Sequence, residues 1–111
     1  HDAFKETIVQ TQEGDTLLTL KELAPVRLIK NKFFDDLQNL YAQCPTVDQL
    51  KELLGRARAK RGMFEGDLIE GELEIGQIAG LIDEVLPVKD IVNHVISEYQ
   101  LVQKEMQTTH F

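Results

Sequence analysis

The chain has 111 residues, with 19 acidic and 12 basic side chains and a formal net charge of −7 at pH 7, room for one small domain with a modest core. That balance argues against nonspecific nucleic-acid binding, which rests on Lys and Arg neutralising phosphates. A lone cysteine, Cys44, forms no intrachain disulfide and fits a reducing, cytoplasmic compartment. No apolar run approaches the roughly 20 residues that span a bilayer, and no signal-peptide pattern is present. The sequence opens at His1, without a methionine and with helix-like sequence at once, which favours a cut polypeptide over a complete one.

Asp2 to Gln12 reads as a short helix, with Phe4 and Ile8 on one face, Asp2 as cap or first-turn acid and Gly14 as the stop. Such a helix is marginal alone and needs a surface to pack on. Thr16 to Leu20 and Val26 to Lys30 read as strands. In the second, Val26, Leu28 and Lys30 point one way, Arg27 and Ile29 the other. A lone ribbon is barely stable, so the pair should cover helices or join a larger sheet.

Asn31 caps a helix from Lys32 to about Gln43, whose apolar stripe is Phe33, Phe34, Leu37, Leu40 and Tyr41. Thr46 starts another, with Gln49 completing a capping box. Its buried face is Val47, Leu50, Leu53, Leu54 and Ala57. Gly55 lies inside that run, so the helix either packs tightly there or ends early.

Arg56, Arg58, Lys60 and Arg61 then form a basic cluster, followed by Glu65, Asp67, Glu70, Glu72 and Glu74. The basic residues are a solvated face or partners of those acids, with phosphate contact as the lesser option. The acids fail calcium-loop spacing and read as a solvated face. Gly62, Gly66, Gly71, Gly76 and Gly80 punctuate the same region, four or five residues apart. They serve either as turns and close-packing points or as backbone facing a ligand. Gly76 to Ile82 has the form of a short helix with a small face at Gly76, Ala79 and Gly80. Pro87 suits a first helical turn. Val88, Ile91, Val92, Val95, Ile96, Tyr99, Val102 and Met106 recur at helical spacing. That helix, Val88 to Met106, is about 28 Å long, and Leu101 lies on its other side. Gln107 to Phe111 is expected to fray. The expected fold class is thus an α+β fragment, mainly helical with one two-stranded element.

Few side chains invite chemistry. His1, His94 and His110 are far apart, and no Cys or His pair has zinc spacing. Cys44 lacks an activating base. Ser97, the only serine, falls mid-helix, which argues against an acyl-carrier protein. Gln77 is the strongest polar candidate, because its amide can both donate and accept within an otherwise small or apolar segment.

Three stretches, AFKETIVQTQEGDTLLT, APVRLIKN and KRGMFEGDLIEGELEIGQIAGLI, resemble the C-terminal part of the nitronate monooxygenase family. That family includes flavin-dependent enoyl-[acyl-carrier-protein] reductase. The resemblance runs from His1 to about Ser97, and the KRG–EGD–EGE stretch looks closer to the reductase-like bacterial members. It implies a parent with an FMN-binding TIM barrel and a small helical domain over the barrel mouth. It assigns residues 1–14 to a helix of the barrel, 15–86 to the small domain and connection, and 87–111 to a closing helix and tail. Gly76 and Gln77 match the family's GQ pair, and with Gly80 they would lie near the flavin and substrate pocket.

The flavin-phosphate loops and the catalytic histidine of that family lie upstream of the position matching His1. The resemblance therefore implies an FMN- and NAD(P)H-dependent parent, with this chain inactive alone and binding no flavin tightly. The expected partners are the missing barrel, a second copy in a dimer, and an acyl-carrier protein as substrate of the parent. Oxidation of a nitronate by oxygen is the alternative chemistry. A self-sufficient helical interaction module is the alternative without chemistry.

Overall fold

Local sequence chemistry sets where each helix begins. In the computed structural model, which describes residues 1–108, α1 covers Asp2–Gln10 and is capped by His1, whose Nδ1 accepts from the Ala3 amide at 3.1 Å. Asp2 is therefore the first-turn acid and not the cap. The helix stops short of Gln12, with Thr11 already extended. Gly14 serves the following turn at φ +90°, a value that suits a residue without a Cβ.

Strands β1 (Thr16–Thr19) and β2 (Val26–Ile29) pair antiparallel, with Thr16 opposite Ile29 and Thr19 opposite Val26. Leu20, expected to end the first strand, instead turns through φ +53° and buries its side chain. The ribbon has further support. Glu74 bridges to Leu28, the Ile29 amide donates to Leu73 O at 3.0 Å, and the Ile75 amide donates to Arg27 O at 3.0 Å. The glycine-rich stretch thus supplies a third extended segment. Strand β2 lies between it and β1, and both Leu28 and Ile29 are buried.

Helix α2 (Lys32–Tyr41) has Asn31 as its cap, with Oδ1 accepting from the Phe34 amide at 3.0 Å. The same side chain donates through Nδ2 to the carbonyls of Leu68 and Gly71. One asparagine therefore starts a helix and tethers a distant loop. Helix α3 (Val47–Leu54) begins with the expected Thr46–Gln49 capping box. It ends at Gly55, at φ +67°. Ala57 lies outside it, exposed and at φ +57°, and Val47 is also exposed. The buried face of α3 is therefore narrower than its sequence suggests. Leu50 is fully buried, with Leu53 and Leu54 packed beside it. With Leu20, Leu28, Phe33, Phe34 and Leu37, Leu50 forms the core.

Arg58 closes this core. Its guanidinium donates to Leu54 O at 2.7 Å, Glu70 O at 2.7 Å and Leu53 O at 3.0 Å. It also lies 4.5 Å from the centre of the Phe33 ring. These contacts satisfy carbonyls at the end of α3 that have no helical partner. Arg61 pairs with Asp67 at 2.7 Å and Lys60 with Glu65 at 3.0 Å. Of the readings of the basic cluster, partnership with the acids holds for these residues.

A π-helical turn (Lys60–Phe64) leads into the loop. Gly62 and Gly71 meet there backbone to backbone. A Cβ on Gly71 would strike Asp67 O and the Gly62 Cα, and one on Gly62 would lie 2.8 Å from Glu72 O. These glycines are close-packing points. A 3₁₀ turn (Gln77–Leu81) follows and buries Ala79.

Helix α4 (Val88–Thr108) includes Gln107 and Thr108, which were expected to fray. The rest of that expected tail, with His110, lies outside the described residues. Apart from Asp90, every residue of α4 is exposed, its whole apolar stripe included. The Cα radius of gyration is 18.0 Å, against about 13 Å for a compact chain of this length. The difference reflects this uncovered arm.

Urea unfolding of the chain should separate the packing glycines from the others. Gly71→Ala is expected to lower stability by about 3 kcal/mol, because backbone rather than a flexible side chain blocks the methyl. Gly76→Ala should stay within about 0.5 kcal/mol, since only the Ile78 Cγ2, at 3.7 Å, is near. Arg58→Ala should cost about 2–4 kcal/mol and Arg56→Ala, at an exposed neighbour, close to nothing.

Candidate functional site

Two loops converge beside the β1–β2 ribbon. The turn after α1 contributes Gln12, Glu13 and Gly14, and β1 opens with Thr16. Strand β2 contributes Arg27, and the 3₁₀ turn contributes Gln77, Ile78, Gly80 and Leu81. Between them lies a cleft of about 690 Å³, within the range of small-molecule sites.

Each wall has a local cause. Asp15 Oδ2 accepts from the Gln12 amide at 2.8 Å and, with the Asp15 amide donating to Gln12 O at 3.1 Å, fixes the turn after α1. The 3₁₀ turn is held by the Ala79 amide on Gly76 O at 3.1 Å. Gly80 lets that turn approach α1. A Cβ on it would lie 3.2 Å from Glu13 N and 3.3 Å from Gln12 C. Thr16 O and Oγ1 each accept from Arg27 Nη1 at 3.1 Å, which holds the guanidinium along the ribbon.

Two of the three residues singled out in the sequence, Gln77 and Gly80, line this cleft. Gly76 does not. It precedes the 3₁₀ turn in an extended conformation, where an added Cβ would meet only the Ile78 Cγ2 at an ordinary contact distance of 3.7 Å. Gln77 is exposed and its amide has no hydrogen bond among the described residues. Arg27 and Glu13 were not identified from sequence. The alternation of β2 marked Arg27 as one face of a strand, and nothing local indicated that the α1 turn would lie beside it.

Ionisation is perturbed elsewhere. Burial pushes the Glu72 carboxyl up to about 7, Glu74 adds to the rise and Arg58 opposes it. The Glu70 amide, followed by the Ile69 amide and the Arg61 guanidinium, holds Asp67 below the usual carboxylate range. No group of three or more His, Cys, Asp or Glu side chains is placed to hold a metal ion among the described residues. No helix there is long and apolar enough to cross a membrane.

Fold and cleft together define a mainly helical domain with one small sheet and an open wall in place of an enclosed site. Such a domain occurs in FabK from Thermotoga maritima, to which the chain is homologous at 30% identity with a TM-score of 0.82. That match covers 96% of this chain and 34% of FabK. A point mutant of the same FabK matches at 31% identity and a TM-score of 0.78, over 96% of this chain and 31% of its own. The chain thus spans about a third of the solved chains it matches. No family model matches it, and no curated protein does.

Glu72 gives stability a testable pH dependence. Its carboxyl holds a proton more tightly when folded, at about 7, than at its ordinary 4.5. The folding penalty is therefore absent below pH 4.5, grows through the window and is complete above pH 7. Stability should fall by about 2 kcal/mol between pH 5 and pH 8. Glu72→Gln should remove most of that slope and raise stability at pH 8, as measured by urea unfolding at each pH.

Proposed function

We propose that this chain is the C-terminal part of an FMN-dependent enoyl-[acyl-carrier-protein] reductase of the FabK type. In this reading it lies over the mouth of a TIM barrel and is inactive alone. The observation that carries this reading is the match to FabK along nearly the whole of this chain, together with the placement of Gln77 and Gly80 on one open cleft.

The cleft residues fit one wall of a flavin site, not a complete one. They offer one guanidinium, one free amide and a close backbone approach at Gly80, without a glycine-rich phosphate loop. Bound FMN would carry reducing equivalents from NAD(P)H to the enoyl thioester. The chain's own contribution is binding, orientation and exclusion of water. Gln77 presents an uncommitted amide able to donate to a carbonyl or accept from a ring N–H. Ile78 and Leu81, 60% and 79% exposed, close the apolar side of the same wall. Gly76 sets the entry into the 3₁₀ turn that carries them.

The stripe on α4 adds a second line of support. A helix with Val88, Val92, Val95, Tyr99 and Val102 all exposed presents more apolar surface than a monomeric domain ordinarily leaves in water. In the complete enzyme this face would lie against the barrel or a second copy. An acyl-carrier protein would deliver the thioester to the pocket of the complete enzyme.

Joining this chain to the remaining two-thirds of FabK should restore NAD(P)H-dependent reduction of an enoyl thioester, whereas the chain alone should show none. Gln77→Ala in the joined protein is expected to lower kcat/KM by about tenfold to a hundredfold with unchanged thermal stability. Tight one-to-one binding of FMN by the isolated chain would overturn the reading.

A further inference from the structure

The cleft contains a cation without an ion-pair partner among the described residues. Arg58 and Arg61 have carboxylate partners in Glu70 and Asp67. Arg27 is half-buried and has none among the described residues. Its Nη1 is committed to Thr16 O and Oγ1. Nε and Nη2 make no hydrogen bond among the described residues, although Glu13 lines the same cleft.

A guanidinium partly removed from water is costly unless an anion or a set of acceptors faces it. Here one edge is fixed by threonine, and the other has no hydrogen bond on a side chain that lines the cleft. That geometry pre-orients a fork suited to two parallel hydrogen bonds, the arrangement phosphate and carboxylate oxygens accept. The rest of the cleft narrows the choice. Glu13 disfavours anionic charge spread along the whole groove. Gln77 offers a neutral amide, and Ile78 and Leu81 offer exposed apolar surface. The complementary molecule carries negative charge at one end and a neutral, partly apolar arm beyond it.

We propose that Arg27 anchors the phosphate ester of the ligand that enters this cleft, with Gln77 contacting the neutral arm. Arg27 is then a positioning residue for the reading given above, and the inference rests on that reading only in taking the cleft as ligand-facing. A phosphopantetheine arm and a nicotinamide nucleotide both have this chemistry.

The two sources can be separated by titrating the full chain with 4′-phosphopantetheine or nicotinamide mononucleotide, each beside its dephosphorylated form. The readouts are the NMR resonances of the Arg27 Nε–H and the Gln77 side-chain amide. One phosphorylated compound should move both resonances saturably, and its dephosphorylated form should bind at least about tenfold more weakly, the loss expected for one charge-assisted contact. Arg27→Lys should weaken binding about tenfold while leaving the amide spectrum otherwise unchanged, because an ammonium cannot reproduce the fork. Equal shifts with and without the phosphate, or an unaffected Arg27→Lys, would overturn the proposal. So would no shift from either compound at about 10 mM, where a millimolar contact is near saturation. No flavin enters this measurement. A phosphate-dependent shift combined with failed reconstitution would sink the functional reading alone, and the converse would sink only the role of Arg27.

Discussion

Arg58 joins three parts of the chain that share no regular secondary structure. Its hydrogen bonds end α3, fix the Glu70 carbonyl and set a cation over the Phe33 ring. The loop it fixes supplies Leu73 and Ile75 to the edge of β2, and β2 holds Arg27 and, through β1, the turn after α1. The core, the small sheet and the cleft are thus linked through one side chain. Burying that charge would be unfavourable alone. It is tolerated because backbone carbonyls accept from three of its nitrogens and Glu70 stands 3.8 Å away.

The glycines complete the same constraint. Gly62 against Gly71 brings the π-helical turn onto the loop with no side chain between them. Asn31 then ties Leu68 and Gly71 to the start of α2. The loop is therefore closely positioned by direct backbone contact, although it has little regular structure. Only Gly80, nearest the α1 turn, combines close approach with a place on the cleft.

Features governed by adjacent residues were legible in the sequence. The Asn31 cap, the Thr46–Gln49 box, the two strands and the α4 stripe each depend on neighbours within a few positions, and all appear in the fold. Gln77 and Gly80 could be singled out because they stand in an unusual local setting. What depended on distant partners was not legible. Arg58 looked like one of four similar cations, and only the meeting of α3, Phe33 and Glu70 distinguishes it. Ala57 continues an apolar pattern, yet the chain has already left the helix at Gly55. Arg27 reads as an alternating strand residue until the α1 turn and the 3₁₀ turn are placed beside it.

Strand β1 forms the outer side of the small sheet. Glu74 and its neighbours pair with β2, and among the described residues no backbone segment pairs along the far side of β1. Leu17 and Leu18 are both more than 40% exposed there. A bare rim of amide and carbonyl groups flanked by leucines is a template for a foreign strand. Proline, lysine or a bulge commonly guards such a rim, but TLLT contains none of these. During synthesis, before anything shields it, this short rim is where chains would stick to one another. A segment docked along this rim would remove the site for such pairing, so covering the strand and keeping copies apart would be one event.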